Sequence, residues 1–125
     1  MNYLDDLFIL QSTQVTDKGF MARLRCNPDH PVYQAHFPGH PITPGACLLK
    51  TAGEVLQQQV GHLLYLKASK NIKYLSPLFP AEGKELRFVF SNMAPTENGC
   101  KVQLVVEDDT TVYSKMSLTY SYEPL

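Results

Sequence analysis

At 125 residues, 44% of them hydrophobic, the chain can bury one core, and residues 1–125 read as a single globular domain. Eleven Lys plus Arg against twelve Asp plus Glu leave a formal charge of −1, which excludes a global positive field able to hold nucleic acid. No apolar run approaches the roughly 18 residues of a membrane helix, and the start Met1-Asn2-Tyr3-Leu4-Asp5-Asp6 is acidic where a secretory signal is basic, so the expected location is cytoplasmic.

Leu7 to Leu10 and Gly19 to Cys26 read as two strands around the turn Thr16-Asp17-Lys18-Gly19. In the second, Phe20, Ala22, Leu24 and Cys26 alternate with Met21, Arg23 and Arg25, the period of a half-buried strand. Asn27 to Gly45 reads as a long Pro-marked loop, a length that in compact domains usually serves function. From Ala46 to Val60 the period becomes helical. Ala46, Leu49, Ala52, Gly53, Leu56 and Val60 supply the apolar face, Thr43-Pro44 the start and Gly61 the stop. Beyond Gly61, strand composition returns over Leu63–Leu75, Leu86–Phe90, Val102–Val106 and Val112–Tyr122, with a turn over Pro77–Gly83 and a hairpin signal at Asn98-Gly99. The order ββ, helix, ββββ describes an α+β domain with an antiparallel sheet against one long helix.

The loop holds the most specific signal: His36-Phe37-Pro38-Gly39-His40-Pro41-Ile42-Thr43-Pro44-Gly45, leading directly into the helix. Pro38, Pro41 and Pro44 fix φ near −65° and steer the residues before them away from helix, so the segment is stiff before tertiary contacts form. The pattern resembles the HFPxxPxxPG signature of the 3-hydroxyacyl-(acyl-carrier-protein) dehydratases. The resemblance extends through Lys70-Asn71-Ile72-Lys73-Tyr74-Leu75-Ser76-Pro77-Leu78-Phe79-Pro80 and on to about Tyr122, and is poor over the first dozen residues. It implies the hotdog fold, an antiparallel sheet wrapped around a long central helix.

Dehydration of a 3-hydroxyacyl thioester requires a base for the proton beside the carbonyl, an acid for the departing hydroxyl, and donors for charge on the thioester oxygen. The resemblance assigns His36 the first task and Gly45, at the helix N-terminus, the third. There a missing side chain would admit the thioester, although a glycine also suits a plain tight turn. It places Phe37, Pro44 and Ala46 against substrate, with Phe37 and the prolines chiefly shaping the loop. The family's Asp or Glu, fourteen residues after the histidine, is Lys50 in this chain. Three readings stay open: Glu54, one turn further along the same face, replaces the acid; Lys50 donates; or the chain does not dehydrate alone. The resemblance implies an enzyme without metal or redox cofactor, its substrate carried on the phosphopantetheine of acyl carrier protein or coenzyme A.

Lys67, Lys70 and Lys73 form a basic cluster suited either to docking an acidic acyl carrier protein or to guarding a sheet edge. The resemblance implies a homodimer or larger oligomer, or a heterodimer with a second hotdog subunit bearing the missing carboxylate. A catalytically incomplete acyl-carrier-binding subunit and a hotdog thioesterase are the alternatives, the latter disfavoured by the proline-spaced motif. Cys26, Cys47 and Cys100 are too widely spaced for a disulfide framework or a zinc site and read as buried thiols. His30, His36 and His40 share no helical face, so no metal site is expected.

Overall fold

The computed structural model describes residues 2–35 and 39–124. The elements are β1 (Phe8–Val15), β2 (Phe20–Cys26), α1 (Val32–Ala35), α2 (Gly45–Val60), β3 (Tyr65–Tyr74), β4 (Glu85–Thr96), β5 (Gly99–Glu107) and β6 (Val112–Ser121). The strands form one antiparallel sheet in the order β1-β2-β4-β5-β6-β3, with α2 against its inner face. This is the hotdog arrangement. Among the described residues no helix is long and apolar enough to cross a membrane.

Alternation places one side of each strand in the core: Ala22 and Leu24 of β2, Leu86 and Phe88 of β4, Leu104 and Val106 of β5, Met116 and Leu118 of β6. Phe20 and Phe90 are register partners with stacked rings 4.5 Å apart. Each such large side chain contributes about 1.5–3 kcal/mol on leaving water. Cys26, Cys47 and Cys100 are buried and unpaired, and burial pushes each thiol up, Cys26 to about 11, so none is a thiolate at neutral pH.

Two expectations here need correction. The Asn27–Gly45 loop contains one helical turn, α1, because His30 Nδ1 accepts the Val32 N–H at 3.0 Å and caps it. The face of α2 turned to the core is Cys47, Leu48, Thr51, Ala52, Val55 and Leu56, so Ala46, Leu49 and Val60 lie off it. Thr51 belongs to the buried face because its hydroxyl donates to the Cys47 carbonyl at 2.7 Å, satisfying itself within the helix. Helical periodicity was correct, but the chain carries two apolar stripes and only one meets the sheet. Gly61 stops the helix as expected, at φ 72°.

At the hairpin, the turn is Glu97-Asn98, with Gly99 already in β5 opposite Thr96. Neither Asn98 nor Gly99 has positive φ. Gly99 is required by close approach instead: a Cβ there would lie 1.8 Å from the Tyr120 carbonyl oxygen. Gly99→Ala is therefore expected to cost roughly 3 kcal/mol through backbone displacement. Urea denaturation checks this, and an unchanged midpoint would contradict it.

The β5–β6 turn is closed by Asp108, which accepts hydrogen bonds from the Tyr113 hydroxyl, the Thr110 and Thr111 N–H groups and the Thr110 hydroxyl, with Lys84 3.8 Å away. Burial pushes the carboxyl up, but these bonds outweigh it and hold the group at about 2, against an ordinary 3.8. A carboxyl depressed by folding takes up its proton first in the unfolded chain. Its stabilisation is thus complete above about pH 4 and is lost as the pH falls toward 2. Asp108→Asn is expected to lower stability at pH 7 and to flatten the acid limb of a stability–pH curve between pH 4 and 2. An acid limb of unchanged steepness would contradict this.

Candidate functional site

The loop carrying the histidine motif is anchored on both sides. Before it, buried His30 takes the Val32 N–H on Nδ1 and faces Asp6 with Nε2 at 3.3 Å, an arrangement that puts its proton on Nε2. After it, the Thr43 N–H donates to the Leu78 carbonyl at 2.9 Å. Across it, the Tyr33 hydroxyl lies 2.8 Å from Thr43 Oγ1, with both residues buried. Burial pushes the Tyr33 phenol up to about 12, so it remains a neutral partner. His36, Phe37 and Pro38, assigned to catalysis and loop shape, lie outside the described residues. His40 is exposed, and among the described residues no three His, Cys, Asp or Glu converge as a metal site.

Pro44 sits at the cap position of α2 with φ −62° and ψ 143° and offers no side-chain cap, so the helix start has donors to spare. Gly45 is the first helical residue, but the space beside it is not empty. A Cβ on Gly45 would lie 2.3 Å from Tyr74 Cζ and 2.6 Å from its hydroxyl. A bulge between Lys70 and Lys73, with Asn71 at φ 53°, reverses the alternation of β3 and brings Tyr74 opposite buried Ser114. Tyr74 is 55% exposed, so its ring covers Gly45 without being locked there. The surrounding hollow of about 310 Å³ is lined by Ile42, Thr43, Leu48, Leu78 and Tyr113. Periodicity could not reveal Tyr74, because without the bulge it faces the other side of the sheet.

The second apolar stripe of α2 faces another hollow, of about 410 Å³. Ala46, Leu49, Lys50 and Glu54 border it, with Leu64 and Leu66 opposite. Tyr120 closes it: its hydroxyl, 3.6 Å from where a Gly53 Cβ would be, is buried without a hydrogen-bond partner. Lys50 and Glu54 share this face as the sequence implies, yet no ion pair joins them.

Glu54 is occupied. Both its carboxylate oxygens accept the Tyr3 N–H at 2.9 Å, and Oε2 also accepts the Leu4 N–H at 3.2 Å, so the side chain ties the N-terminal segment to α2. Among the described residues, the face of α2 that the resemblance assigns to the acid therefore presents an exposed ammonium and a carboxylate engaged with backbone. Glu54→Gln is expected to cost about 1–2 kcal/mol, since an amide accepts on one oxygen only. Hydrogen exchange at the Tyr3 and Leu4 amides should accelerate, and unchanged exchange would contradict the assignment.

A family model described as ApeI-like, ApeI dehydratase, matches residues 12–117. The 3-hydroxyacyl-(acyl-carrier-protein) dehydratase FabZ of Geobacter metallireducens is 27% identical over 114 residues, spanning 74% of this chain and 68% of that protein. Among solved structures, the dehydratase heterocomplex ApeI:P of Xenorhabdus doucetiae superposes with a TM-score of 0.72 at 16% identity, covering 91% of this chain and 97% of the other. The dehydratase domain of the polyketide protein PpsC of Mycobacterium tuberculosis superposes at 0.65 with 15% identity, covering 93% and 44%. These two likenesses carry the hotdog fold. The match over most of its length shows that this chain belongs to the ApeI-like dehydratase family.

Proposed function

We propose that this chain is one subunit of a dehydratase acting on 3-hydroxyacyl thioesters carried by phosphopantetheine, and that its site is completed by a carboxylate from a second hotdog subunit. In this reading His36 accepts the proton from C2 of the acyl chain, the C2–C3 double bond forms, and the C3–O bond breaks. The hydroxyl leaves as water with a proton from the partner's carboxylic acid. The developing charge on the thioester oxygen is held by the N–H groups opening α2, where Gly45 leaves room once Tyr74 swings aside.

The observation that carries the proposal is the face of α2, where Lys50 stands at the acid position and Glu54 is bound to the Tyr3 and Leu4 backbone. A general acid must deliver a proton to the leaving oxygen, and here Glu54 is engaged by backbone N–H groups while Lys50 brings an ammonium where the family has a carboxylic acid. The same observation supports a second reading, an acyl-carrier-binding subunit without turnover. Dehydration of a 3-hydroxyacyl pantetheine thioester, assayed with the chain alone and with a carboxylate-bearing hotdog partner, separates the two. Activity only in the mixture supports the two-subunit site. Binding without turnover in both supports the second reading.

A further inference from the structure

β3 is an end strand, paired on one side to β6 and, among the described residues, unpaired on the other. Leu63, Leu66, Tyr74 and Leu75 on or beside it are exposed, an apolar margin of the kind that interfaces use. The same strand carries Lys67, Lys70 and Lys73, spaced three apart. On a regular strand that spacing alternates faces. Here β3 has two irregularities, between Leu66 and Ala68 and between Lys70 and Lys73, and these gather the lysines on the outer face. Lys70 pairs with Ser117 and Lys73 with Lys115, both outward neighbours of buried Met116, while Lys67 shares a surface hollow with Lys101 and Thr119. None of these five lysines has an ion-pair partner among the described residues.

A two-fold contact is self-complementary, so a residue at one end of the edge meets the residue at the other. Centred near Lys70, antiparallel pairing sets Lys67 against Lys73 of a second copy and Lys70 against itself. Moving the register by two residues shifts each contact by about 7 Å, still within a Debye length of about 8 Å at physiological salt. Lys115 adds a further charge one strand inward. Like charges opposite one another on paired strands are destabilising, and repulsion against one pairing is how specificity for another is built.

We infer that the lysine-bearing edge of β3 rejects a second copy of this chain and selects a hotdog partner whose own edge strand is acidic. The inference rests on the two-subunit site proposed above and names the chemistry of the partner. Sedimentation reads assembly without turnover, so a failed edge rule and a failed dehydratase reading give different results.

The test compares the wild type, a Lys67→Glu/Lys70→Glu/Lys73→Glu variant, and their equimolar mixture by sedimentation at low and high salt. In low salt the mixture should associate at least tenfold more tightly than either chain alone, the gap should close in high salt, and a triple Lys→Gln variant should self-associate more tightly than wild type. The three substituted side chains are exposed in the fold, and near-wild-type circular dichroism confirms folding. Wild-type self-association as tight as the mixture at every salt would overturn the inference. So would substitutions that alter only the affinity for an acyl carrier protein, which would assign the lysines to carrier docking instead.

Discussion

Lys50→Glu is expected to give the isolated chain dehydratase activity at least about 100-fold above wild type, the gain typical of a correctly placed general acid. The side chain at position 50 already borders the hollow with Ala46, Leu49 and Tyr120, and among the described residues no ion pair holds the ammonium elsewhere. Glutamate needs no change of backbone to use the same space, and it is as good a helix former as lysine. Tyr120 gives a second reason to expect a response. Its hydroxyl is buried beside the same face without a partner, a state that costs about 1–3 kcal/mol and that a nearby acceptor relieves. The activity is measured as enoyl thioester formed from 3-hydroxyacyl pantetheine, at salt high enough to screen the edge lysines. If Lys50→Glu folds, dimerises and stays inactive, the missing carboxylate is not what limits the chain.

The second large effect concerns His36. In the Lys50→Glu background, His36→Ala is expected to remove about 100-fold or more of the gained activity, the loss typical of a general base. His30 is buried and engaged by the Val32 N–H and Asp6, and His62 packs against Tyr122 with ring centroids 4.6 Å apart. His36→Ala should leave the unfolding free energy from urea denaturation within about 0.5 kcal/mol of its parent, so that lost activity is not lost folding. Retained activity would remove the histidine from the proposed mechanism.

Most of the architecture was legible because alternation is a local signal. Phe20, Ala22, Leu24 and Cys26 announce β2, and the later strands fall where expected, although β4 runs on past the expected end at Phe90 to Thr96 and β1 past Leu10 to Val15. The features that failed to show are those in which distant chain segments decide. The core face of α2 was displaced because Ala46, Leu49 and Gly53 form an apolar stripe of their own, and only the sheet determines which stripe it buries. The role of Glu54 depends on the N-terminal segment folding back over fifty residues away, which no spacing rule reports. Tyr74 reaches Gly45 through a bulge at Asn71, and bulges leave no periodic trace. Gly99 looked like a turn glycine and is one demanded by the Tyr120 carbonyl on the neighbouring strand. The histidine motif, by contrast, owed its legibility to prolines, whose effect on the chain is local and fixed.

The central claim, that a working site takes His36 from one chain and a carboxylate from another, is tested most directly by complementation between two inactive forms. The wild type carries His36 and lacks the acid; a His36→Ala/Lys50→Glu variant carries the acid and lacks the histidine. Mixed at a salt concentration that permits association, the two are predicted to form dimers with one complete site and to show activity at least about 100-fold above the sum of the separate chains. A mixture that associates, as judged by sedimentation in the same buffer, and yet turns over no faster than its parts would contradict the claim.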